Sequence, residues 1–193
     1  MKNDYISEIH EKDKNVLHPY EDLQLRGTYK RKLIVKSDNI YLYDEEGKRY
    51  IDGPGGMWCN NIGHGNKEIA EEIKKQIEKM DYCSPFSEST EVAAELASVL
   101  SDLSPGDLNT IFFTSDGSTA NDSALRFVMY YNNILGRKEK KHIITRDRAY
   151  HGSTYLTGSV TGKDREKNSF DFETNFIHHL SSPNPYRRKE SQS

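Results

Sequence analysis

The sequence TIFFTSDGSTANDSALRF, residues 110–127, decides the fold of this 193-residue chain. The apolar run Ile111–Phe113 predicts a buried strand, a short Ser/Asp/Gly loop follows, and a helix is predicted to open near Ser118 and to end before Gly136. A strand that passes directly into a helix points free backbone N–H groups and the positive end of the helix dipole at one place. The loop is therefore a candidate phosphate site, in which Gly117 allows close approach and Ser118 adds a hydroxyl.

A purely structural interpretation of the same loop stays open. Any strand-to-helix turn needs an N-cap, and Ser118 or Thr119 would supply it, with Asp122 completing a box-like pattern. The loop is neither a Walker loop nor a dinucleotide-binding loop, because it lacks both G-x-x-x-x-G-K-[ST] and G-x-G-x-x-G.

Helices and strands alternate along the rest of the chain. Short β-branched and aromatic runs between turn residues predict an antiparallel meander over residues 33–51. Helical periodicity and apolar runs predict helices at 66–80, 90–103 and 118–135, a helical turn at 153–161, and strands at 142–145 and 175–178. This order is typical of an α/β domain with a mainly parallel sheet.

A second candidate segment follows the strand predicted at 142–145. Tyr150, His151 and Gly152 would lie at the same edge of the sheet as the phosphate loop, where ligands of open α/β sheets usually bind. The aromatic ring could stack on a planar ligand there, and the alternative is a tyrosine that only covers the sheet edge.

Trp58 is the only tryptophan of the chain, and it lies in the glycine-rich stretch GPGGMWCNNIGHG, residues 53–65. A large ring flanked by glycines suits the wall of a pocket better than a core. A core position for Trp58 nevertheless stays open.

Composition and charge exclude several classes of protein. Lys and Arg number 27 against 30 Asp and Glu, a net charge of −3, which disfavours a nucleic-acid partner. No uncharged apolar run approaches the ~18 residues of a membrane span, and the first residues lack the apolar stretch of a secretory signal. We therefore expect a cytoplasmic protein with neither a nucleic-acid nor a membrane partner.

No metal site is predicted. Cys59 and Cys83 lack the C-x-x-C spacing of a zinc or redox site, and two cysteines make no disulfide framework. His178 and His179 would point to opposite faces of a strand and so would not share a metal. The remaining candidates are expected to be unpaired: His10, His18 and His64.

Taken in order, these segments resemble the class III aminotransferases, which use pyridoxal 5′-phosphate. The similarity extends over nearly the whole chain and is carried mainly by Phe112–Asp122 (FFTSDGSTAND), Tyr150–Thr154 (YHGST) and Gly56–Cys59 (GMWC). It implies part of the α/β pyridoxal-phosphate transferase fold of type I. Residues 1–60 would be the N-terminal helix and β-meander of the small domain, 61–180 part of the cofactor-binding large domain, and 181–193 a polar tail.

The resemblance also implies roles for individual residues and a reaction. Amino groups would pass from an amine or ω-amino acid to a keto acid in a homodimer. Gly117 and Ser118 would bind the cofactor phosphate, Tyr150 would stack on the pyridine ring with His151 and Gly152 shaping that wall, and Trp58 and Phe86 would line the substrate pocket.

Two departures from the family pattern stand out. Asp116 occupies a position where relatives often have serine or glycine, which is unfavourable for phosphate unless the carboxylate turns away or caps a backbone N–H. The Schiff-base lysine of the family has no counterpart, because Lys163, Lys167 and Lys189 lie in polar segments and are expected to face solvent.

We therefore expect a truncated aminotransferase that is inactive alone and contains no catalytic residue. One alternative is a non-catalytic fragment or assembly module that pairs with a complementary or full-length aminotransferase chain, because half of a doubly wound sheet leaves strand edges and apolar faces uncovered. A weaker one is a phosphate-binding protein unrelated to amino-group transfer.

Overall fold

The computed structural model describes residues 2–163, 167 and 169–187. The chain divides into two compact units, Met1–Thr90 and Glu91–Ser193. The domain boundary after residue 60, which the family resemblance implies, stays a prediction.

The first unit contains a helix, a three-stranded meander, a short turn and a further helix. Its elements are α1 Lys2–Asp13, β1 Ile34–Asp38, β2 Tyr41–Asp44, β3 Arg49–Ile51, α2 Gly55–Trp58 and α3 Lys67–Lys79. The strand β2 lies between β1 and β3 and is antiparallel to both, which confirms the predicted meander. Both hairpin turns contain backbone in the left-handed region, at Asn39 (φ 49°) and Gly47 (φ 85°).

The helix α3 begins and ends where the sequence predicts. Asn66 is its N-cap, and the Asn66 side chain accepts a hydrogen bond from the backbone N–H of Ile69 at 3.1 Å. The apolar stripe of α3 is exposed, since Ile73 and Ile77 keep 55% and 60% of their surface open to solvent.

The second unit contains a parallel strand pair with helices before it and between its strands. Its elements are α4 Glu91–Leu103, α5 Gly117–Ile134, β4 Ile143–Arg146, α6 Tyr155–Val160, β5 Ile177–Leu180 and a 3-10 turn Pro185–Arg187. The strands β4 and β5 are parallel, with Ile143 opposite Ile177, and the crossover between them carries α6. The predicted parallel pairing of these strands is confirmed.

Apart from Asn132 on α5, the most deeply buried side chains of the second unit gather around α6. The apolar ones are Val160 and Ile177, and the polar ones are Thr145, Thr157, Ser159 and Thr161. Their hydroxyl groups are satisfied locally, because Thr145 donates to the Val160 carbonyl at 3.0 Å and Ser159 to the Tyr155 carbonyl at 2.6 Å. This largely polar core joins β4, α6 and β5.

Two expectations about the decisive stretch are wrong. Ile111–Phe113 forms no strand, because in the described part of the chain its backbone has no ladder partner and β4 pairs with β5 instead. The Phe112 ring packs edge-on against Phe127 at 5.5 Å. The helical stripe of α5 that contains Ala124, Val128, Tyr131 and Leu135 is expected to face a core, but it is exposed, with Val128 at 57%, since none of the described residues covers it.

Candidate functional site

The helix α5 opens on an acidic N-cap, Asp116. The Asp116 carboxylate accepts a hydrogen bond from the Thr119 backbone N–H at 3.0 Å, and the Thr119 hydroxyl lies 3.2 Å from the Asp116 backbone N–H. The loop does form an N-cap, but the assignment of that cap to Ser118 or Thr119 is wrong. The capping residue is Asp116, because its carboxylate accepts the hydrogen bond from the free backbone N–H of Thr119. Asp122 is not part of this box, since it accepts from the Thr154 hydroxyl at 2.7 Å.

Capping favours the ionised form of the Asp116 side chain. The Thr119 backbone N–H, with a smaller contribution from the Ser115 hydroxyl, holds the pKa of Asp116 below its ordinary value. The carboxylate is thus engaged with the first turn of its own helix. This is the arrangement in which an acidic residue next to an anion site is tolerated.

The two predicted segments meet at Gly152 and Ser118. A Cβ added at Gly152 would lie 2.8 Å from both Cα and Cβ of Ser118, so only glycine fits between them. The backbone N–H of Ser153 donates to the Ser118 hydroxyl at 3.2 Å, and the Asn121 amide donates to the His151 carbonyl at 2.8 Å. The start of α5 and the segment after β4 therefore form one continuous site.

His151 ties this segment to the strand pair. Its Nε2 lies 3.1 Å from the Thr145 hydroxyl on β4, and its backbone N–H donates to the Thr161 hydroxyl at 3.0 Å. These contacts hold the His151 imidazole against the polar core, so His151 connects the site to the strand pair. The contacts of Asn121, Ser153 and Thr161 were missed at the sequence level, because ordinary polar residues carry no motif.

Tyr150 presents a half-exposed ring beside the phosphate loop. Its hydroxyl lies 2.8 Å from the Ser153 hydroxyl, and the Lys163 ammonium lies 4.7 Å from the centre of its ring.

Two of the three lysines expected to face solvent are instead half-buried and in contact with other groups. Lys163 lies over the Tyr150 ring, and Lys167 donates a hydrogen bond to the Ser159 carbonyl at 2.8 Å. Lys189 lies outside the described residues.

The room and the donors at this place fit a phosphorylated planar ligand. A Cβ added at Gly117 meets nothing within 4 Å, so the backbone at the start of α5 is open to close approach. The Ser118 hydroxyl is adjacent, and the Tyr150 ring offers a half-exposed face. Gly117 and Ser118 would hold the phosphate, and Tyr150 would hold the ring.

Trp58 and Phe86 belong to the first unit and are highly exposed, at 76% and 99%. A core position for Trp58 is therefore excluded within the described residues. Their role as a pocket wall stays a prediction.

The three histidines that were expected to be unpaired all have partners. His10 lies 3.1 Å from the Glu45 carboxylate and His18 lies 3.1 Å from that of Asp13, while His64 contacts two side chains. Two of the four partners, Glu45 and Asp52, are 35 and 12 positions away in sequence, which no local pattern shows.

The described residues contain neither a cluster of metal-ligand side chains nor a membrane-spanning helix. None of their His, Cys, Asp and Glu side chains form a group of three or more that could hold a metal ion. None of the described helices is both long and apolar enough to cross a lipid bilayer.

Comparisons with known proteins identify one family of relatives. Residues 26–193 match the family Aminotransferase class-III. An uncharacterized aminotransferase of Sinorhizobium fredii is 35% identical over 186 residues, which make up 94% of this chain and 40% of that protein. The crystal structure of the omega transaminase from Pseudomonas jessenii in complex with PMP is similar with a TM-score of 0.89 and 34% identity, covering 93% of this chain and 40% of that one.

A second solved structure is similar to this chain to the same extent. It is a tryptophan-to-glycine variant of a thermostable omega transaminase, engineered for asymmetric synthesis of enantiopure bulky amines. Its TM-score is 0.89 at 33% identity, and the match covers 93% of this chain and 40% of that one.

The chain thus spans about 40% of the length of these relatives. The structural similarity confirms the predicted α/β fold, as part of the type I fold of pyridoxal-phosphate transferases. Members of this family use pyridoxal phosphate, which is the ligand class that the α5 loop and Tyr150 fit. The chain belongs to the class III aminotransferases.

Proposed function

We propose that this chain supplies the phosphate-binding and ring-binding part of an aminotransferase that moves an amino group from an amine or ω-amino acid to a keto acid. The observation that carries the proposal is the close packing of Gly152 against Ser118. It brings an open helix N-terminus and an exposed aromatic ring into one site, and a phosphorylated pyridine needs both.

Each residue of the site has a distinct task in this proposal. The backbone at Gly117 and the Ser118 hydroxyl bind the phosphate, while Tyr150 stacks on the ring and fixes its plane. When bound, pyridoxal phosphate supplies the electron sink of amino-group transfer. His151 and Gly152 keep the Tyr150 segment in register with α5.

The proposal extends to the substrate wall. Trp58 and Phe86 line the place where the amine binds. The engineered omega transaminase supports this assignment, because a tryptophan was the residue changed to glycine to obtain bulky amines. We expect the same class of donor, an amine or ω-amino acid, for this protein.

A titration of the full chain tests the cofactor site. Purified chain is titrated with pyridoxal phosphate and, separately, with inorganic phosphate in a calorimeter. Ring stacking contributes about 0.5–1.5 kcal/mol, so Tyr150→Ala is expected to weaken pyridoxal phosphate by about threefold to tenfold and leave inorganic phosphate unchanged. Tyr186→Ala is the matched control, because Tyr186 is 91% exposed and should affect neither ligand.

Two outcomes would contradict the proposal. Equal binding of pyridoxal phosphate by wild type and Tyr150→Ala would remove the stacking role. Binding of neither ligand by the wild-type chain would remove the site. Borohydride treatment and an amine-plus-pyruvate assay then test the expectation that this chain holds no Schiff-base lysine, since turnover with one stoichiometric adduct would refute it.

A second candidate function is favoured by the unusual exposure of apolar side chains. Among the described residues the buried apolar side chains are Val160 and Ile177, whereas the stripes of α3 and α4 are open. On α4, Leu96 and Leu103 are 50% and 77% exposed. Large contiguous apolar surfaces usually mark sites where another chain or ligand binds. We propose that this chain assembles with a complementary or full-length aminotransferase chain.

The assembly proposal is tested by light scattering and by melting at several protein concentrations. A second copy or a co-expressed aminotransferase chain should raise the melting temperature with concentration. A monomer whose sharp melt is independent of concentration would refute assembly. The homodimer expected from the family is one outcome of this experiment. The expected cytoplasmic location is tested by fractionation of the cells that produce the protein.

A further inference from the structure

The loop between β3 and α3 is stapled at its base by three side chains. Asp52 follows the last residue of β3, and its Oδ2 lies 2.9 Å from Nε2 of His64, which closes the loop twelve residues later. The other ring nitrogen of His64, Nδ1, lies 2.6 Å from Nδ2 of Asn60. With the Asn60 amide nitrogen as donor, Nδ1 of His64 accepts from Asn60 and Nε2–H donates to Asp52.

The staple is anchored to the meander. The Asp52 backbone N–H donates to the Ile40 carbonyl at 2.8 Å, and His64 and Asn39 exchange two backbone hydrogen bonds of 3.0 and 2.7 Å. The Asp52 side chain is only 7% exposed and that of His64 21%. Gly63 completes the fit, since its φ is +84° and an added Cβ would lie 2.9 Å from Oδ1 of Asn39. Both ends of the loop therefore rest on the turn between β1 and β2.

The loop carries the strained turn α2. Gly55, Gly56, Met57 and Trp58 have φ values of 54°, 60°, 60° and 70°, which make a left-handed helical turn. This conformation is disfavoured for L-residues such as Met57 and Trp58, because Cβ approaches the following carbonyl oxygen. Asp52 reaches into the turn as well, since its Oδ2 accepts from the Gly56 backbone N–H at 2.9 Å.

We infer that Asp52 and His64 are positioning residues that hold α2 in its left-handed form and thereby fix the direction of the Trp58 indole. Strained backbone of this kind persists only where surrounding contacts determine it. Here one buried carboxylate oxygen serves both the turn and the histidine at the base of the loop. The consequence for amine selection rests on the proposed function, in which Trp58 is a wall of the substrate pocket.

Trp58 is the only tryptophan, so its fluorescence reports on this turn alone. Time-resolved anisotropy is measured on the full chain without cofactor or amine. In wild type we expect a small amplitude for the fast, local motion of the indole. Asp52→Ala and His64→Ala should each at least double this amplitude. His64→Gln, whose Nε2 can still donate to Asp52, should restore at least half of the difference.

Two further variants separate positioning from general loss of structure. His10→Ala removes another histidine–carboxylate pair of the same unit, that of His10 with Glu45 at 3.1 Å, and should leave the anisotropy of Trp58 unchanged. Met57→Gly relieves the strained residue next to Trp58. Combined with His64→Ala, it should bring the fast amplitude back toward the wild-type value.

An unchanged anisotropy in both alanine variants overturns the inference, and so does an equal increase in His10→Ala. If either alanine variant fails to fold, His64→Gln and the Met57→Gly/His64→Ala pair decide the matter by the same readout. The experiment uses neither ligand nor turnover. Failure of the chain to bind pyridoxal phosphate would therefore refute the proposed function and leave the positioning role of Asp52 and His64 intact.

Discussion

Replacing Gly152 by alanine tests the contact on which the site depends. Gly152 has φ +141°, and an added Cβ would lie 2.8 Å from Ser118 and closer still to Oγ1 of Thr157. Neither neighbour can give way easily. Thr157 is fully buried with its hydroxyl bonded to Thr154, and Ser118 lies in the first turn of α5. The new methyl group therefore has to separate α5 from the segment after β4.

The expected loss combines two effects. Overpacking of a well-packed place costs about 1–3 kcal/mol, and the unfavourable backbone region adds about 1 kcal/mol. We expect the free energy of unfolding to fall by about 3 kcal/mol. With a denaturant slope of about 2 kcal/mol per molar urea, the midpoint of unfolding shifts down by about 1.5 M. Urea titration of the full chain followed by far-UV circular dichroism measures this shift.

Gly117→Ala is the matched control for this measurement. Gly117 lies in the same site, but an added Cβ there meets nothing within 4 Å and its φ is not positive. Its unfolding free energy should change by no more than about 0.5 kcal/mol. A Gly152→Ala midpoint equal to that of Gly117→Ala would refute the close packing of Gly152 on Ser118.

Three further predictions concern other parts of the chain. Asp116→Asn removes a charge beside the anion site and should strengthen inorganic phosphate binding several-fold in calorimetry; weaker binding would contradict it. The Tyr50 hydroxyl, 2.7 Å from Asp44, lowers the pKa of that carboxyl. Because the folded carboxyl holds its proton less tightly than the unfolded one, its stabilisation is complete above the ordinary pKa and is lost as pH falls through the lowered one. Tyr50→Phe should flatten that acid dependence in urea titrations between about pH 2 and 6. Gly63→Ala should destabilise the chain by about 1–3 kcal/mol in thermal unfolding, and an unchanged melt would refute the close approach to Asn39.

Much of the secondary structure was predictable because its signals are local. The stripe from Ile69 to Ile77 and the cap Asn66 define α3, and Gly136 after α5 marks its end with φ +73°. Turn residues separate the strands of the meander in the same way. Such patterns act over one or two turns of chain, so no knowledge of distant partners is needed.

The errors fall where a distant partner decides the outcome or where several neighbouring residues could make the same local contact. Ile111–Phe113 has the composition of a strand, but a strand also needs a neighbour, and the apolar run does not encode one. The N-cap of α5 was assigned to the wrong residue because Asp116, Ser118 and Thr119 are all able to cap. In the structure Asp116 is the cap, because its extended backbone brings its carboxylate within 3.0 Å of the Thr119 backbone nitrogen.

Part of the candidate site was predictable from the sequence and part of it was not. The phosphate loop and the tyrosine segment were recognisable from residue types and order, and so was the family. The meeting of Gly152 with Ser118 was not, because the two residues are 34 positions apart and neither belongs to a motif that names the other. The staple of Asp52, Asn60 and His64 left no signal in the sequence, where these are ordinary polar residues.

By itself the sequence determined the class of fold, the order of most elements and the two segments that we propose to bind a phosphorylated ring, because periodicity, capping and turn chemistry are properties of short stretches. Only the tertiary structure decided that Asp116 caps α5, that Gly152 packs on Ser118, and that a buried carboxylate holds the turn carrying Trp58. The packing of Gly152 on Ser118 and the pairing of Asp52 with His64 join residues through the folding of the intervening chain, while the backbone geometry at Asp116 selects the cap. Patterns along the chain do not contain them.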